Sequence, residues 1–188
     1  MKSSGWLEVV AMIWRQIRTI GPFPGMVTVV IPGLILWLIG PGAGFDDLST
    51  AVRAVAIGVG VVLLVLGFGL FVWTVALFAR RGKGTLAPFD APTELVVDGP
   101  YRHVRNPMYA GVFAVLAGEV LVFQSWTVLV WFAVFATVVA MFVPRKEERW
   151  LMDRFPDEYA AYRSHVPRWI PRPTGWTPEY AGPQRSGT

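Results

Sequence analysis

The adjacent carboxylates Glu147 and Glu148 are the residues best suited to bind a cation or to move a proton. On a helix, neighbouring side chains diverge by about 100°, so the two do not form an acid/base dyad and at most one points into a shared site. The plainer alternative is that both are solvated and pair with Lys146, Arg149 or Arg154. The pair therefore indicates one candidate binding carboxylate, and the spacing alone leaves the alternative open.

A second group of polar and aromatic residues surrounds Pro107. Proline restricts the preceding residue, Asn106, to extended geometry and is favoured in the first turn of a helix. The sequence therefore predicts that Arg105, Asn106 and Tyr109 lie at a helix N-terminus. Free backbone N–H groups at such an end favour an anionic group such as a carboxylate.

The other candidate residues point to little chemistry. Glycines at 58, 60, 67 and 69 look like fragments of a nucleotide-binding fingerprint, but they lie in an apolar segment with no preceding strand. We therefore expect them to pack helices. His103 and His165 are lone histidines without metal-ligand spacing, so no metal site is predicted. The absence of cysteine excludes disulfides and thiolate chemistry.

The elements that must position these residues are unusually apolar. Of the 188 residues, 54% are hydrophobic and 16% are charged, with a mean hydropathy of +0.47. A soluble domain has roughly 25% charged residues. The composition excludes a disordered chain and argues against a soluble enzyme, because so few charges cover little surface. Lipid is the expected solvent for part of the protein.

Three apolar runs, residues 24–40, 54–79 and 108–143, are long enough to cross a bilayer, which takes about 17 to 25 residues. The third is too long for one crossing, since at ~1.5 Å per residue it would exceed about 45 Å. We expect it to break at Gln124-Ser125. The Pro32-Gly33 pair predicts a kink in the first run, tolerable where neighbouring helices or waters satisfy the freed carbonyls.

These runs predict an all-α, multi-pass membrane protein with about four transmembrane helices in two hairpins. The alternative, a soluble bundle of buried helices, is weaker because such helices are rarely apolar all round. We expect a single domain with six parts: an amphipathic interfacial helix at 1–23, a first hairpin at 24–79, a loop at 80–107, a second hairpin at 108–143, cytoplasmic helices at 144–172 and a flexible tail at 173–188.

The basic residues predict the orientation of these spans. Of 17 lysines and arginines, only Arg53 lies in the connection at 41–53, and none lies at the Gln124 turn. The other sixteen lie on the opposite side of the predicted spans, which places both termini in the cytoplasm by the positive-inside rule. Because the net charge of +4 follows loop topology and not one basic face, no nucleic-acid partner is predicted.

Glu119 is the only acid within a predicted span. Burying it in lipid costs at least ~2.5 kcal/mol on insertion scales, so we expect a partner or a polar cavity. The sequence does not decide whether Glu119 serves helix packing or cofactor chemistry.

Three motifs carry a family resemblance. They are GPYRHVRNPMYAG from residue 99, the Glu-Glu pair at 147 and 148, and FPDEYAAYRSHVPRWIP from residue 155. In this order, and with a helical hairpin between the first two, they resemble the isoprenylcysteine carboxyl methyltransferase and phospholipid N-methyltransferase family of integral membrane enzymes. The resemblance covers residues 82–172, about half of the chain.

The resemblance implies S-adenosyl-L-methionine as cofactor and assigns its binding residues. The cofactor would be held by the segment at 93–96, by a tyrosine, by the segment around Pro107 and by the acidic pair. In this chain those positions are Thr93, Glu94, Leu95, Val96, Tyr101, Arg105, Asn106, Pro107, Met108, Tyr109, Glu147 and Glu148. Glu147 is the acid expected to complete the site, and Asn106, Tyr109 and Arg145 are candidates for positioning the reactants.

One position departs from the family pattern, because Asn106 stands where a histidine is usual. Asparagine cannot act as a general base at neutral pH. A carboxylate acceptor arrives deprotonated, whereas an ammonium or thiol does not. The departure therefore tilts the expected reaction towards carboxyl O-methylation of an isoprenylcysteine-type, lipophilic acceptor. Phospholipid N-methylation, small-thiol S-methylation and a non-catalytic membrane anchor or binder are the alternatives.

Overall fold

Every element of the computed structural model is helical within the residues it describes, which are 22–40, 44, 48–81 and 94–178. The helices are α1 (Pro22–Gly25), α2 (Ile31–Ile39), α3 (Thr50–Arg81), α4 (Pro107–Phe123), α5 (Trp126–Phe142), α6 (Glu148–Arg154) and α7 (Pro156–His165). Two π-helical turns, Met26–Val30 and Val143–Glu147, and one 3₁₀ turn, Gly99–Arg102, complete the set. The predicted interfacial helix at 1–23 falls almost entirely outside the described residues.

Among the described residues, two helices are long and apolar enough to cross a membrane, Thr50–Leu77 and Trp126–Arg154. Only 11% and 22% of the residues in their most apolar windows are buried inside the protein. Exposed apolar side chains of this kind require lipid or a partner surface, which fits a membrane protein. Met26–Ile39 and Pro107–Phe123 are shorter apolar helices, so the four-span topology stays a prediction.

Helices α3 and α4 pack antiparallel through two pairs of glycines. A Cβ added to Gly60 would lie 2.8 Å from the Gly118 carbonyl oxygen, and one added to Gly67 would lie 2.7 Å from that of Gly111. The two backbones therefore approach as closely as small-residue membrane interfaces allow. The packing role is confirmed for two of the four glycines in the sequence pattern. Open space surrounds the other two, Gly58 and Gly69.

The predicted break in the long apolar run is confirmed at Gln124 and Ser125. Gln124 ends α4 in the left-handed region, with φ 49°, and the Ser125 hydroxyl caps α5 by accepting from the Val128 amide. Ser125 also forms an isolated antiparallel bridge with Gly44. The Gln124 side-chain amide donates to the Arg53 carbonyl at 3.4 Å. The hairpin turn and the connection before α3 therefore lie at the same end of the molecule.

The irregularity expected at Pro32 takes the form of the π turn Met26–Val30. The Ile31 amide donates to the Met26 carbonyl, and Pro32 has no N–H, so the Val27 carbonyl loses both of its possible helical donors. The indole Nε1 of Trp131 on α5 donates to that carbonyl at 3.0 Å. This confirms that a neighbouring helix satisfies the carbonyl that the proline frees.

Candidate functional site

The site residues converge at the end of the molecule opposite the Gln124 turn. They come from the segment before α4, from the junction of α5 with α6, and from α7 with the residues that follow it. At the junction Pro144 cannot donate a backbone hydrogen bond, and the chain forms the π turn Val143–Glu147, whose last residue directly precedes Glu148. Turns of this kind inside α-helices occur frequently at functional sites.

Glu147 faces two tyrosines that the family resemblance placed in the site. The Tyr109 hydroxyl donates to Glu147 Oε2 at 3.2 Å. Burial and the negative charge of Glu147 together raise the pKa of the Tyr101 phenol, so Glu147 acts on this ring electrostatically. Tyr109 and Glu147 are thus in contact, and Tyr101 lies within electrostatic range of both. We call these three residues the tyrosine–glutamate cluster.

Glu148 points away from that cluster and holds two arginines. Its carboxylate accepts from Arg168 Nε and Nη2 at 2.6 and 2.8 Å and from Arg105 Nη1 at 2.9 Å. The Glu148 side chain is only 6% exposed. The alternative that both carboxylates are solvated and pair with nearby cations of their own helix is therefore wrong for Glu148. As expected from their spacing, the two acids have different partners.

Arg105 links Glu148 to α7. Its Nη1 also donates to the Tyr159 hydroxyl at 3.3 Å, and its backbone amide donates to the Pro167 carbonyl at 2.9 Å. The guanidinium is 9% exposed, and its Nε has no hydrogen-bond partner among the described residues. A buried donor without a partner is uncommon in a folded protein, so this atom is available to a bound group.

Asn106 lies at the start of α4, as predicted, where it is buried and its side chain already has a hydrogen-bond partner. Its Nδ2 donates to the Arg168 carbonyl at 3.2 Å. Pro107 follows as the fully buried first residue of α4, and Met108 is half-buried behind it. The amide therefore ties the α4 N-terminus to the chain after α7.

The segment expected to hold the cofactor near residue 95 packs against α7. Leu95 and Val97 contact a core formed by Tyr159, Tyr162 and Val166. The Tyr162 hydroxyl donates to the Tyr101 carbonyl at 2.6 Å. Val96 is buried and Glu94 is exposed, whereas Thr93 lies outside the described residues. Helix α7 thus fixes the positions of this segment and of Tyr101.

One predicted positioning residue lies outside this arrangement. The Arg145 side chain is exposed, and its Nη1 donates to the Met141 carbonyl one turn back along the helix. Glu119 is also distant, since it follows Tyr109 by ten residues, or about 15 Å along α4. Glu119 is buried, with Oε2 lacking a partner among the described residues.

Sequence reasoning missed the contribution of the chain after α7. Arg168 holds Glu148, and within the expected tail the Trp176 amide donates to the Arg102 carbonyl. Arg102 Nε donates back to the Trp176 carbonyl, and its Nη2 donates to the Thr177 hydroxyl. The sequence offered one signal, namely that a buried acid requires a cation. That signal does not indicate which arginine pairs with Glu148.

A cavity of about 450 Å³ lies beside the site. Ala110 lines it, and this residue is turned by about 100° around α4 from Tyr109, so the cavity and the tyrosine–glutamate cluster lie on different sides of the first turn. Its lining is mostly apolar and comprises Leu70, Trp73, Gly99, Pro100, Arg102, His103, Val104, Pro107, Ala110 and Pro171. The cavity is suited to an apolar group at the membrane surface.

Long helices with exposed apolar side chains, and a carboxylate and aromatic rings at one end, are typical of a helical membrane protein with a candidate site at that end. The sequence model of the phospholipid methyltransferase family matches residues 55–158, which is more than half of the chain and includes the whole tyrosine–glutamate cluster. The chain belongs to this family of membrane methyltransferases. This confirms the family that the resemblance predicted. No curated protein matches the sequence, so this comparison does not identify a particular activity within the family.

Proposed function

We propose that this protein transfers a methyl group from S-adenosyl-L-methionine to a lipophilic, membrane-borne acceptor. The observation that carries the proposal is the tyrosine–glutamate cluster, which lies within the region matched by the family. Tyr109 and Glu147, which the family resemblance names from two separate motifs, are in hydrogen-bond contact, which a chance similarity of motifs does not require.

The chemistry of the cluster fits that cofactor. A carboxylate can bind an ammonium group or ribose hydroxyls, and aromatic faces attract a cation. Glu147 supplies the first and Tyr101 and Tyr109 the second. Arg105 Nε, buried and without a partner among the described residues, is a donor for an anionic group such as a carboxylate. Glu147, Tyr101, Tyr109 and Arg105 would therefore hold the cofactor.

The chain's own contribution to the reaction is positioning. When bound, the cofactor supplies an electrophilic methyl group on a sulfonium. The residues of the cluster would orient this group and exclude water, while Glu148 and α7 keep Arg105 and Tyr101 in place. Effects of this kind can supply about 7 to 11 kcal/mol of a barrier when the reactants are aligned. No proton needs to move at Asn106.

Carboxyl O-methylation of an isoprenylcysteine-type acceptor is the reaction we favour. An acceptor carboxylate carries no proton to remove, and Asn106 cannot remove one. The apolar cavity beside the site is suited to a lipid tail, with Arg102 and His103 in its lining. The localisation we propose is the membrane, with both termini in the cytoplasm. Phospholipid N-methylation and small-thiol S-methylation are the alternatives within the same architecture.

The acceptor is tested by incubating the protein in vesicles with methyl-labelled cofactor and three acceptors. These are a prenylated cysteine with a free carboxylate, phosphatidylethanolamine and a small thiol. We expect label on the prenylated cysteine in a base-labile ester, loss of this label in Glu147→Gln, and its retention in Glu158→Gln, an exposed acid of α7. Label on the amine or thiol would refute carboxyl methylation. Failure to bind the cofactor would favour a non-catalytic anchor.

A further inference from the structure

Helix α5 has an exposed apolar face, unpartnered within the described part of the chain, that leads directly to cations. Along this face every third or fourth residue is bulky, apolar and at least half exposed: Val130, Val134, Val138, Met141 and Phe142. The same face continues through the π turn into Arg145 and Arg149, both exposed. An apolar ridge about four turns long thus ends in two guanidinium groups.

Among the described residues these cations have no acidic partner. Arg145 donates to a backbone carbonyl, and neither it nor Arg149 or Lys146 forms an ion pair within the described part of the chain. The two acids between them, Glu147 and Glu148, point inward to Tyr109 and to the arginines of the site. The inward turn of both acids leaves Arg145, Lys146 and Arg149 as exposed cations at the end of the ridge.

The cationic side chains are directed back towards the apolar ridge. Side chains on a helix tilt towards its N-terminus, and α5 runs from the Gln124 turn towards the polar end. Arg145 follows this rule, since its Nη1 contacts the Met141 carbonyl at 3.1 Å. Trp150, exposed on the next turn, is typical of a residue at headgroup level.

We propose that this ridge and its cations bind an anionic phospholipid, with acyl chains along α5 and the phosphate at Arg145 and Arg149. Guanidinium groups bind phosphate oxygens in bidentate fashion, and apolar exposed side chains accept acyl chains. The site is separate from the tyrosine–glutamate cluster, because Glu147 points to the opposite side of the helix junction. The proposal does not depend on the methyl-transfer reaction.

Lipid retention in detergent tests this site. The full chain is extracted from vesicles containing equal amounts of phosphatidylglycerol and phosphatidylcholine, and bound lipid is measured by native mass spectrometry. A basic residue near an anionic surface contributes a preference of about fivefold. We expect Arg145→Gln/Arg149→Gln to lower the preference for phosphatidylglycerol about 25-fold, and each single variant about fivefold.

The control is Arg163→Gln, which removes an exposed cation from α7 without touching the ridge. It should retain the preference. An equal loss of preference in Arg163→Gln would mean that overall charge explains the effect, and it would refute the proposed site. An unchanged preference in the double variant would also refute it. Added inorganic phosphate should not displace the lipid, because it lacks acyl chains; displacement would reassign the cations to free phosphate. The single variants decide the matter if the double variant does not fold.

Discussion

Glu147 and Glu148 are neighbours in the chain with different partners. Glu147 faces Tyr109 and Tyr101, whereas Glu148 neutralises Arg105 and Arg168. The first is the carboxylate that we propose to bind the cofactor, and the second joins Arg105 and Arg168. The π turn that ends at Glu147 marks the point where these two roles separate.

Loss of the Glu148 charge is expected to destabilise the protein. Glu148→Gln would leave the Arg105 guanidinium, 9% exposed, with no carboxylate partner. Breaking one side of a buried ion pair typically costs about 3 to 5 kcal/mol. Thermal unfolding in detergent measures the effect, with the exposed Glu158→Gln as control. Equal stability of the two variants would contradict the structural role of Glu148.

Glu119 should behave in the opposite way. Its Oε2 is buried on α4 without a partner among the described residues, so Glu119→Met removes an unsatisfied polar atom. We expect a gain of about 1 to 3 kcal/mol in the free energy of unfolding. Because Glu119 lies about 15 Å from Tyr109 along the helix, cofactor affinity should not change. A fall in affinity would assign Glu119 to the cofactor site.

At the scale of elements, two contacts between helices hold the apolar part together. The glycine pairs let α3 and α4 approach backbone to backbone. Trp131 of α5 completes the hydrogen bonding that Pro32 interrupts in the first helical segment. Both contacts lie between apolar helices, and the core of a bilayer offers no water to satisfy a freed carbonyl.

The glycine contacts are tested by a matched pair of alanine substitutions. Gly67→Ala places a Cβ 2.7 Å from the Gly111 carbonyl oxygen, whereas Gly69→Ala has open space. Overpacking of this kind costs about 1 to 3 kcal/mol, whereas alanine in an exposed helix gains up to about 1 kcal/mol over glycine. Unfolding midpoints should therefore shift in opposite directions. Shifts of the same sign would refute the close α3–α4 packing.

Trp131→Phe tests the second contact. The phenylalanine keeps an aromatic ring in the core but leaves the Val27 carbonyl without its donor. An unsatisfied buried acceptor costs about 1 to 3 kcal/mol. Trp37→Phe is the control, since Trp37 on α2 is 78% exposed. If both variants unfold at the same temperature, the indole hydrogen bond does not contribute to stability.

At the scale of the whole molecule, the protein has one end formed by turns and another that carries the candidate site. The Gln124 turn and the connection at Gly44 meet at the first end. At the second end lie the segment before α4, the α5–α6 junction and α7. The exposed cations of that junction lie at the same end as the site, which suits an enzyme that works at the surface of a bilayer.

The local features of this architecture could be predicted from the sequence. The break at Gln124, the proline at the start of α4 and the packing glycines each follow from a residue type and its immediate neighbours. The pairing of Glu148 with Arg168 could not be predicted, because it joins residues 20 positions apart on separate elements. The same holds for Trp131 and Val27, where only the packing of helices identifies the donor.

The central claim is that the tyrosine–glutamate cluster binds the methyl donor. Its most direct test is titration calorimetry of the purified protein in detergent with S-adenosyl-L-methionine, comparing wild type, Glu147→Gln and Glu158→Gln. Loss of a charge-assisted hydrogen bond costs about 1.5 to 3 kcal/mol, or roughly a tenfold to hundredfold fall in affinity. We expect this fall in Glu147→Gln alone. Unchanged affinity in Glu147→Gln would show that the tyrosine–glutamate cluster does not bind the methyl donor.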